Sequence, residues 1–283
     1  MMRYQQVQVD GLSVFYRAVG NQSKPVLLLL HGFPSASHYF RELMPLLAED
    51  FYCIAPDMIG FGQSESPDRF EFTYSFESES QVIQRFLEVL GVDSYYLYVF
   101  DYGAPVGFRL ALNHPEQIRG IISQNGNVYE EGLGAKWQDR IAYWANPTSE
   151  ARATFSNAYA AATIKNQYLG GEKAGAISPD GYSLDIYYSQ KIADYGEKQN
   201  DLILDYRTNV ALYPKFQQYL RDYQPAVLAI WGKNDDSFIW AGAEAFKKDV
   251  PDATVVPIDA GHFALESHST TIAEQIIHQF MKQ

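Results

Sequence analysis

Cysteine is almost absent, with Cys53 the single one in 283 residues. An intrachain disulfide is therefore impossible, and a structural zinc site lacks its thiolates. Cys53 lies in the apolar stretch Phe51-Tyr52-Cys53-Ile54-Ala55 and reads as a buried core thiol. Positive charge is scarce too: 22 Lys and Arg stand against 34 Asp and Glu, a net charge of −12. Binding to phosphates by counterion release lacks its cations, which argues against nucleic acid and anionic membrane surfaces as partners. No apolar run approaches the roughly 20 residues that span a bilayer. The start, Met1-Met2-Arg3-Tyr4-Gln5-Gln6, lacks the apolar region of about 7 to 15 residues that secretion needs, so a soluble, cytoplasmic protein is expected. His38, His114, His268 and His278 are scattered without carboxylates at ligand spacing. Neither a metal nor a cofactor is expected. The chain also lacks Gly-x-Ser-x-Gly, which argues against a serine nucleophile on a hydrolase elbow.

What is present is apolar and aromatic material, 47% and 15% of the residues, enough for one large core. Partial alternation over Tyr4 to Val9 and Leu12 to Val19, around Asp10-Gly11, predicts an opening hairpin. Short apolar runs follow at Val26 to Leu30, Tyr52 to Ala55, Tyr95 to Phe100 and Ile118 to Ser123, separated by helix-like stretches such as Phe76 to Leu90 and Val106 to Asn113. This alternation predicts an α/β fold, a mostly parallel sheet with helices on both faces. The rhythm breaks after Asn127. About ninety residues to Tyr223 carry twelve of the twenty-one tyrosines and no buried-strand run, which predicts an inserted helical segment. It resumes with Ala226 to Trp231, a helix near Ala241 to Lys248, Thr254 to Ile258, and a final helix from about Thr270. The expected division is a core of residues 1–127 and 224–283 and a helical cap of residues 128–223.

Four strand ends carry the chemistry. In Val26 to Leu30 followed by His31-Gly32-Phe33-Pro34, a buried strand runs into a turn that could aim the Phe33 amide into a cleft at the carboxyl ends of the strands. In Tyr95 to Phe100 followed by Asp101-Tyr102-Gly103-Ala104-Pro105, a strand runs straight into a helix, and Asp101 sits at the sharp turn. Such a turn presents a nucleophile above the sheet, with the next amide in an oxyanion hole; a helix cap would look similar locally. Later, Asp235 follows Trp231-Gly232-Lys233-Asn234, and His262 follows Asp259-Ala260-Gly261. The order Asp, Asp, His is that of nucleophile, orienting acid and base, with aspartate in place of serine. Asp236, Glu130 and Glu131 are weaker candidates for the orienting acid. The Gly-x-Gly of Asp57-Met58-Ile59-Gly60-Phe61-Gly62 lacks the third glycine of a dinucleotide site and reads as a turn.

On these motifs the sequence resembles the α/β-hydrolase superfamily over nearly its whole length. Within it, the similarity is to the aspartate-nucleophile branch of epoxide hydrolases and haloalkane or haloacetate dehalogenases. The resemblance implies that Asp101 attacks an electrophilic carbon and that His262, held by Asp235, activates water to hydrolyse the ester. The amides of Phe33 and Tyr102 would form the oxyanion hole. Epoxide opening needs an acid, which that family supplies from cap tyrosines; Tyr143 and Tyr213 are the candidates, with Tyr206 and Tyr187 as substitutes. Dehalogenation needs halide donors. Trp144 could be one, but Tyr102 and Phe33 depart from the Trp and the Asn or Glu usual in haloalkane dehalogenases, while Val99 is more like their elbow. Haloacetate dehalogenases place arginines after the nucleophile, where this chain has Tyr102 and Pro105. Epoxide hydrolysis therefore ranks first, dehalogenation second and another hydrolase reaction next, with a small-molecule binding protein without turnover as the alternative of another class. A small apolar or aromatic electrophile and water are the expected partners.

Overall fold

The computed structural model describes residues 1–281. Strands β1 (Arg3–Val9) and β2 (Leu12–Val19) form the opening hairpin, and both turn residues, Asp10 and Gly11, take positive φ (49° and 88°) as a tight two-residue turn requires. Then follow β3 (Val26–Leu30), α1 (Leu43–Leu47), β4 (Tyr52–Pro56), α2 (Phe76–Val89), β5 (Tyr95–Phe100), α3 (Gly103–Asn113) and β6 (Ile118–Gln124). The next five helices are α4 (Gln138–Ala145), α5 (Ser149–Ala153), α6 (Ala161–Leu169), α7 (Pro179–Lys191) and α8 (Tyr195–Tyr223). The chain closes with β7 (Val227–Gly232), α9 (Ala241–Asp249), β8 (Thr254–Ile258) and α10 (Leu265–Met281).

The eight strands form one sheet in the order β1-β2-β4-β3-β5-β6-β7-β8, antiparallel at β1 and β2 and parallel from β4 onward. This is the α/β-hydrolase fold expected from the sequence. Side chains alternate across the strands, so β3, β5 and β7 feed two cores at once. Leu28, Leu30, Leu97, Val99 and Ala229 pack on one face, and Leu27, Leu29, Tyr98, Phe100, Leu228 and Ile230 on the other. Each such large side chain contributes about 1.5 to 3 kcal/mol by leaving water.

Helix boundaries differ at two places. Helix α3 begins at Gly103 rather than Val106, because Pro105 falls in the first turn, where its missing N–H removes no helical bond. Helix α10 begins at Leu265 rather than Thr270 and is kinked at His268 (φ −133°). Between β6 and β7 lie helices and no strand of the sheet. Helix α8 runs 29 residues with Pro214 in its interior, and its buried face carries Tyr195, Gln199, Leu202, Tyr206, Tyr213 and Phe216. Cys53 is buried in β4. Among the described residues, no helix is long and apolar enough to cross a membrane.

Candidate active site

Asp101 follows β5, a central strand, and adopts φ 47°, a left-handed conformation that a non-glycine residue rarely takes. Two glycines make room for this turn. A Cβ on Gly32 would meet the Asp101 carboxylate at 2.3 Å, and one on Gly103 would meet the Leu30 carbonyl oxygen at 2.2 Å. The strained turn carries the carboxylate to the carboxyl edge of the sheet. There the Phe33 amide donates to its Oδ1 at 2.7 Å, and the Tyr102 backbone amide also donates to the carboxylate.

The loops after β7 and β8 bring Asp235 and His262 beside it. His262 Nδ1 lies 2.6 Å from Asp235 Oδ2, and Nε2 lies 3.7 Å from Asp101 Oδ2. With Nδ1 carrying its proton toward Asp235, the neutral ring turns the lone pair of Nε2 toward Asp101. Asp235 is itself fixed: the amides of Ser237 and Phe238 donate to Oδ1 at 2.8 and 3.2 Å, and Asn125 Nδ2 donates to Oδ2 at 2.8 Å. Asn125 is held in turn, since its Oδ1 accepts from the Gly232 amide at 2.8 Å. Gln124 Nε2 donates to the His262 carbonyl at 3.1 Å.

Burial acts on both titrating groups. It raises the Asp101 carboxyl above its usual range, opposed by the charge of His262 and the amides of Phe33 and Tyr102. Burial pulls His262 down, but the charge of Asp235, their hydrogen bond and the charge of Asp101 outweigh it, so the imidazole stands above its ordinary value. The arrangement is a desolvated carboxylate with one oxygen held by the Phe33 amide and the other beside an imidazole.

His31 and Asp57 build the surrounding turns. His31 Nε2 accepts from the Met58 amide at 2.9 Å, and burial lowers its pKa to about 4, so the ring is neutral. Asp57 accepts from the amides of Ser37 and Gln63 at 2.7 and 2.8 Å, which makes the Asp57 to Gly62 segment a braced turn. Asp236 is exposed and paired with Lys136 at 2.7 Å, and Glu131 pairs with Lys248. Neither reaches His262 as Asp235 does.

The helical side of the site corrects several expectations. Tyr143 packs with Phe155 and Ile203 in a separate cluster and lines a different, outer cavity, because its position on α4 turns it away from the sheet edge. Tyr187 is half exposed on α7. Tyr213 is buried, but its hydroxyl meets Asn127 and Tyr206, each at 3.3 Å, rather than the cavity. Trp144 stacks on Tyr206 at 6.0 Å and donates its indole N–H to the Ile203 carbonyl at 2.7 Å, so that N–H is not free to hold a halide. Tyr206 lies deep in the aromatic cluster with Tyr102, Phe76 and Trp137.

A cavity of about 220 Å³ opens onto Asp101 and His262. Its walls are Phe33, Tyr102 and Trp137 together with Lys136, Arg140, Asn166 and Gln167, so the lining mixes aromatic rings with polar and charged side chains. A larger open depression of about 520 Å³ lies at the opposite, amino end of the strands, among Lys24, Val26, Tyr52 and Arg119. It gathers no comparable reactive set. Sequence reasoning missed Asn125, Gln124, Trp137 and Arg140. For Asn125 a signal existed: Gln124-Asn125-Gly126-Asn127 is a polar cluster directly after a buried strand, the place from which the parallel neighbours also send reactive groups.

A family model described as the alpha/beta hydrolase fold matches residues 25–269. The chain is 45% identical to the uncharacterized hydrolase YNR064C of Saccharomyces cerevisiae over 98% of this chain and 97% of the relative. It is 43% identical over 113 residues to a haloalkane dehalogenase of Bradyrhizobium diazoefficiens, covering 40% of this chain and 36% of that one. In three dimensions it resembles the haloalkane dehalogenase DbeA from Bradyrhizobium elkani, with a TM-score of 0.81 at 23% identity, covering 100% of this chain and 98% of that one. At that identity the likeness speaks for the fold.

Proposed function

Since the chain belongs to the alpha/beta hydrolase fold family, we propose that it is a hydrolase in which Asp101 is the nucleophile, His262 the base and Asp235 the residue that orients and charges His262. The observation that carries this reading is the division of labour on the Asp101 carboxylate. Oδ1 accepts from the Phe33 amide, the Tyr102 amide also donates to the carboxylate, and Oδ2 lies beside His262 Nε2.

In this mechanism Oδ2 attacks an electrophilic carbon and an ester forms on Asp101. Oδ1 is then the ester carbonyl oxygen and already accepts from the Phe33 amide, with the Tyr102 amide also on the carboxyl group; such a donor is worth about 3 kcal/mol to the oxyanion of the second step. His262 removes a proton from water, which attacks the Asp101 Cγ, and Asp235 stabilises the imidazolium. The ester bond breaks, the alcohol leaves with a proton from water, and the Asp101 carboxylate returns.

Epoxide to vicinal diol is the first reading of the substrate. It is supported by the donors around the cavity: the indole N–H of Trp137, in the cavity lining, is donated to the Ser237 carbonyl, which leaves the Tyr102 phenol rather than an indole to meet a leaving group. A halogenated carbon is the second reading, favoured by the haloalkane dehalogenases among the relatives. The inserted helices over the cavity would act as the cap of the core domain.

The test is the intact mass of His262→Gln after exposure to separate epoxide and haloorganic panels. Loss of the base should trap the ester. A gain of one whole epoxide mass supports the first reading, a gain of substrate less hydrogen halide supports the second, and no adduct from either panel sinks the Asp101 nucleophile.

A further inference from the structure

The roof of the site leaves the leaving group without its expected partner. Tyr143 lies in another cavity, and the hydroxyls of Tyr206 and Tyr213 meet each other at 3.3 Å. Tyr102 is different. It lines the Asp101 cavity, and among the described residues no hydrogen bond is made by its hydroxyl. Its ring is wedged by Phe76 at 5.0 Å, Phe33 at 5.9 Å and Tyr206 at 6.0 Å, which fixes where the hydroxyl can point. Asp101 and Arg140, which line the cavity with it, both act on the phenol by their charges.

We propose that the Tyr102 side chain, in addition to its backbone amide, is catalytic: its hydroxyl is the acid that protonates the leaving oxygen when Asp101 opens an epoxide. This rests on Asp101 being the nucleophile. Oδ2 forms the new C–O bond, the epoxide C–O bond breaks, its electron pair stays on the epoxide oxygen, and that oxygen takes the phenolic proton. The proton that His262 later removes from water restores Tyr102 through solvent. Burial, the largest influence on it, keeps the phenol protonated well past neutral pH, with Asp101 adding to the effect and Arg140 opposing it. Arg140 makes the phenol a better acid than it would otherwise be.

The experiment compares adduct formation on His262→Gln with that on His262→Gln, Tyr102→Phe, using styrene oxide and 2-phenylethyl bromide with time-resolved intact mass. Phe keeps the ring packing, and the circular dichroism melt of each protein checks the fold. The expected result is a loss of at least about 100-fold with the epoxide, the usual scale of general-acid catalysis. With the bromide, whose leaving group needs no proton, the loss should be under about tenfold. Epoxide adduct forming within threefold of the Tyr102 rate overturns the proposal and leaves Asp101 standing, as does an equal loss with both probes, which marks a packing role. No adduct on His262→Gln itself overturns both.

Discussion

On the floor of the Asp101 cavity the two carboxylates are tied to backbone amides, whereas on its roof the aromatic side chains are tied mainly to one another. Asp101 accepts from Phe33 and Tyr102, and Asp235 from Ser237 and Phe238. Above them Tyr206 is boxed by Trp137, Trp144, Phe76 and Phe238, and Tyr213 completes the group. Backbone donors at strand ends are set by the sheet, so their targets are fixed to fractions of an ångström. An aromatic cluster can be satisfied in many ways, and its hydroxyls go wherever the packing leaves them. The floor is therefore suited to reaction and the roof to enclosure.

The largest effect that tests this contrast comes from the floor. Asp101→Ala should lower turnover by at least about 10⁴-fold, the scale of losing a nucleophile, with the cooperative melt retained. Asp101→Asn should be equally inactive yet melt higher, because burial of the charged form works against the native state. Asp235→Asn should fall with them while Asp236→Asn stays within threefold, since Asp236 is exposed on Lys136. Steady-state assays and calorimetry on the four proteins decide this.

Next is Asn125→Leu, which removes the donor on Asp235 Oδ2 with little change in volume. A hydrogen bond to a charged group is worth about 1.5 to 3 kcal/mol. The expected loss in kcat is about 10- to 100-fold, with KM nearly constant, because Asn125 would act through Asp235 rather than on substrate.

The pH dependence of the two steps gives a smaller, graded effect, about tenfold per unit on the falling limb. Adduct formation on His262→Gln should fall with acidification starting above the ordinary aspartate range, since the Asp101 carboxyl is raised. Ester hydrolysis in the wild type should rise with pH and level off only above the ordinary histidine range, since His262 is raised and must be neutral to act as base. Rapid-quench measurements of each step test the two signs separately. The smallest effect belongs to the roof: Tyr143→Phe should leave turnover within about twofold, and a loss beyond tenfold would put that ring in the cavity rather than against Phe155.

The sequence carried the sheet and its reactive edge to within a residue or two. The runs Val26 to Leu30, Tyr95 to Phe100 and Thr254 to Ile258 coincide with β3, β5 and β8, because buried parallel strands need unbroken apolar stretches. The inserted helices were legible as helical, but not in orientation. Helix α8 passes through Pro214, which local rules would make a boundary, and twelve tyrosines offered no pattern that singled out one face.

What the sequence determined alone was therefore the α/β alternation and the identity of Asp101, Asp235 and His262 as candidates. Residues just past the ends of neighbouring parallel strands converge at one edge whatever else the chain does, so topology alone brings them together. The tertiary structure decided the rest: that Asn125 clamps Asp235, that Tyr143 and Trp144 turn away from the cavity, and that Tyr102 lines it. Those outcomes depend on how long helices rotate and settle over the sheet, a matter of summed packing among residues far apart in the chain, and no local pattern encodes it.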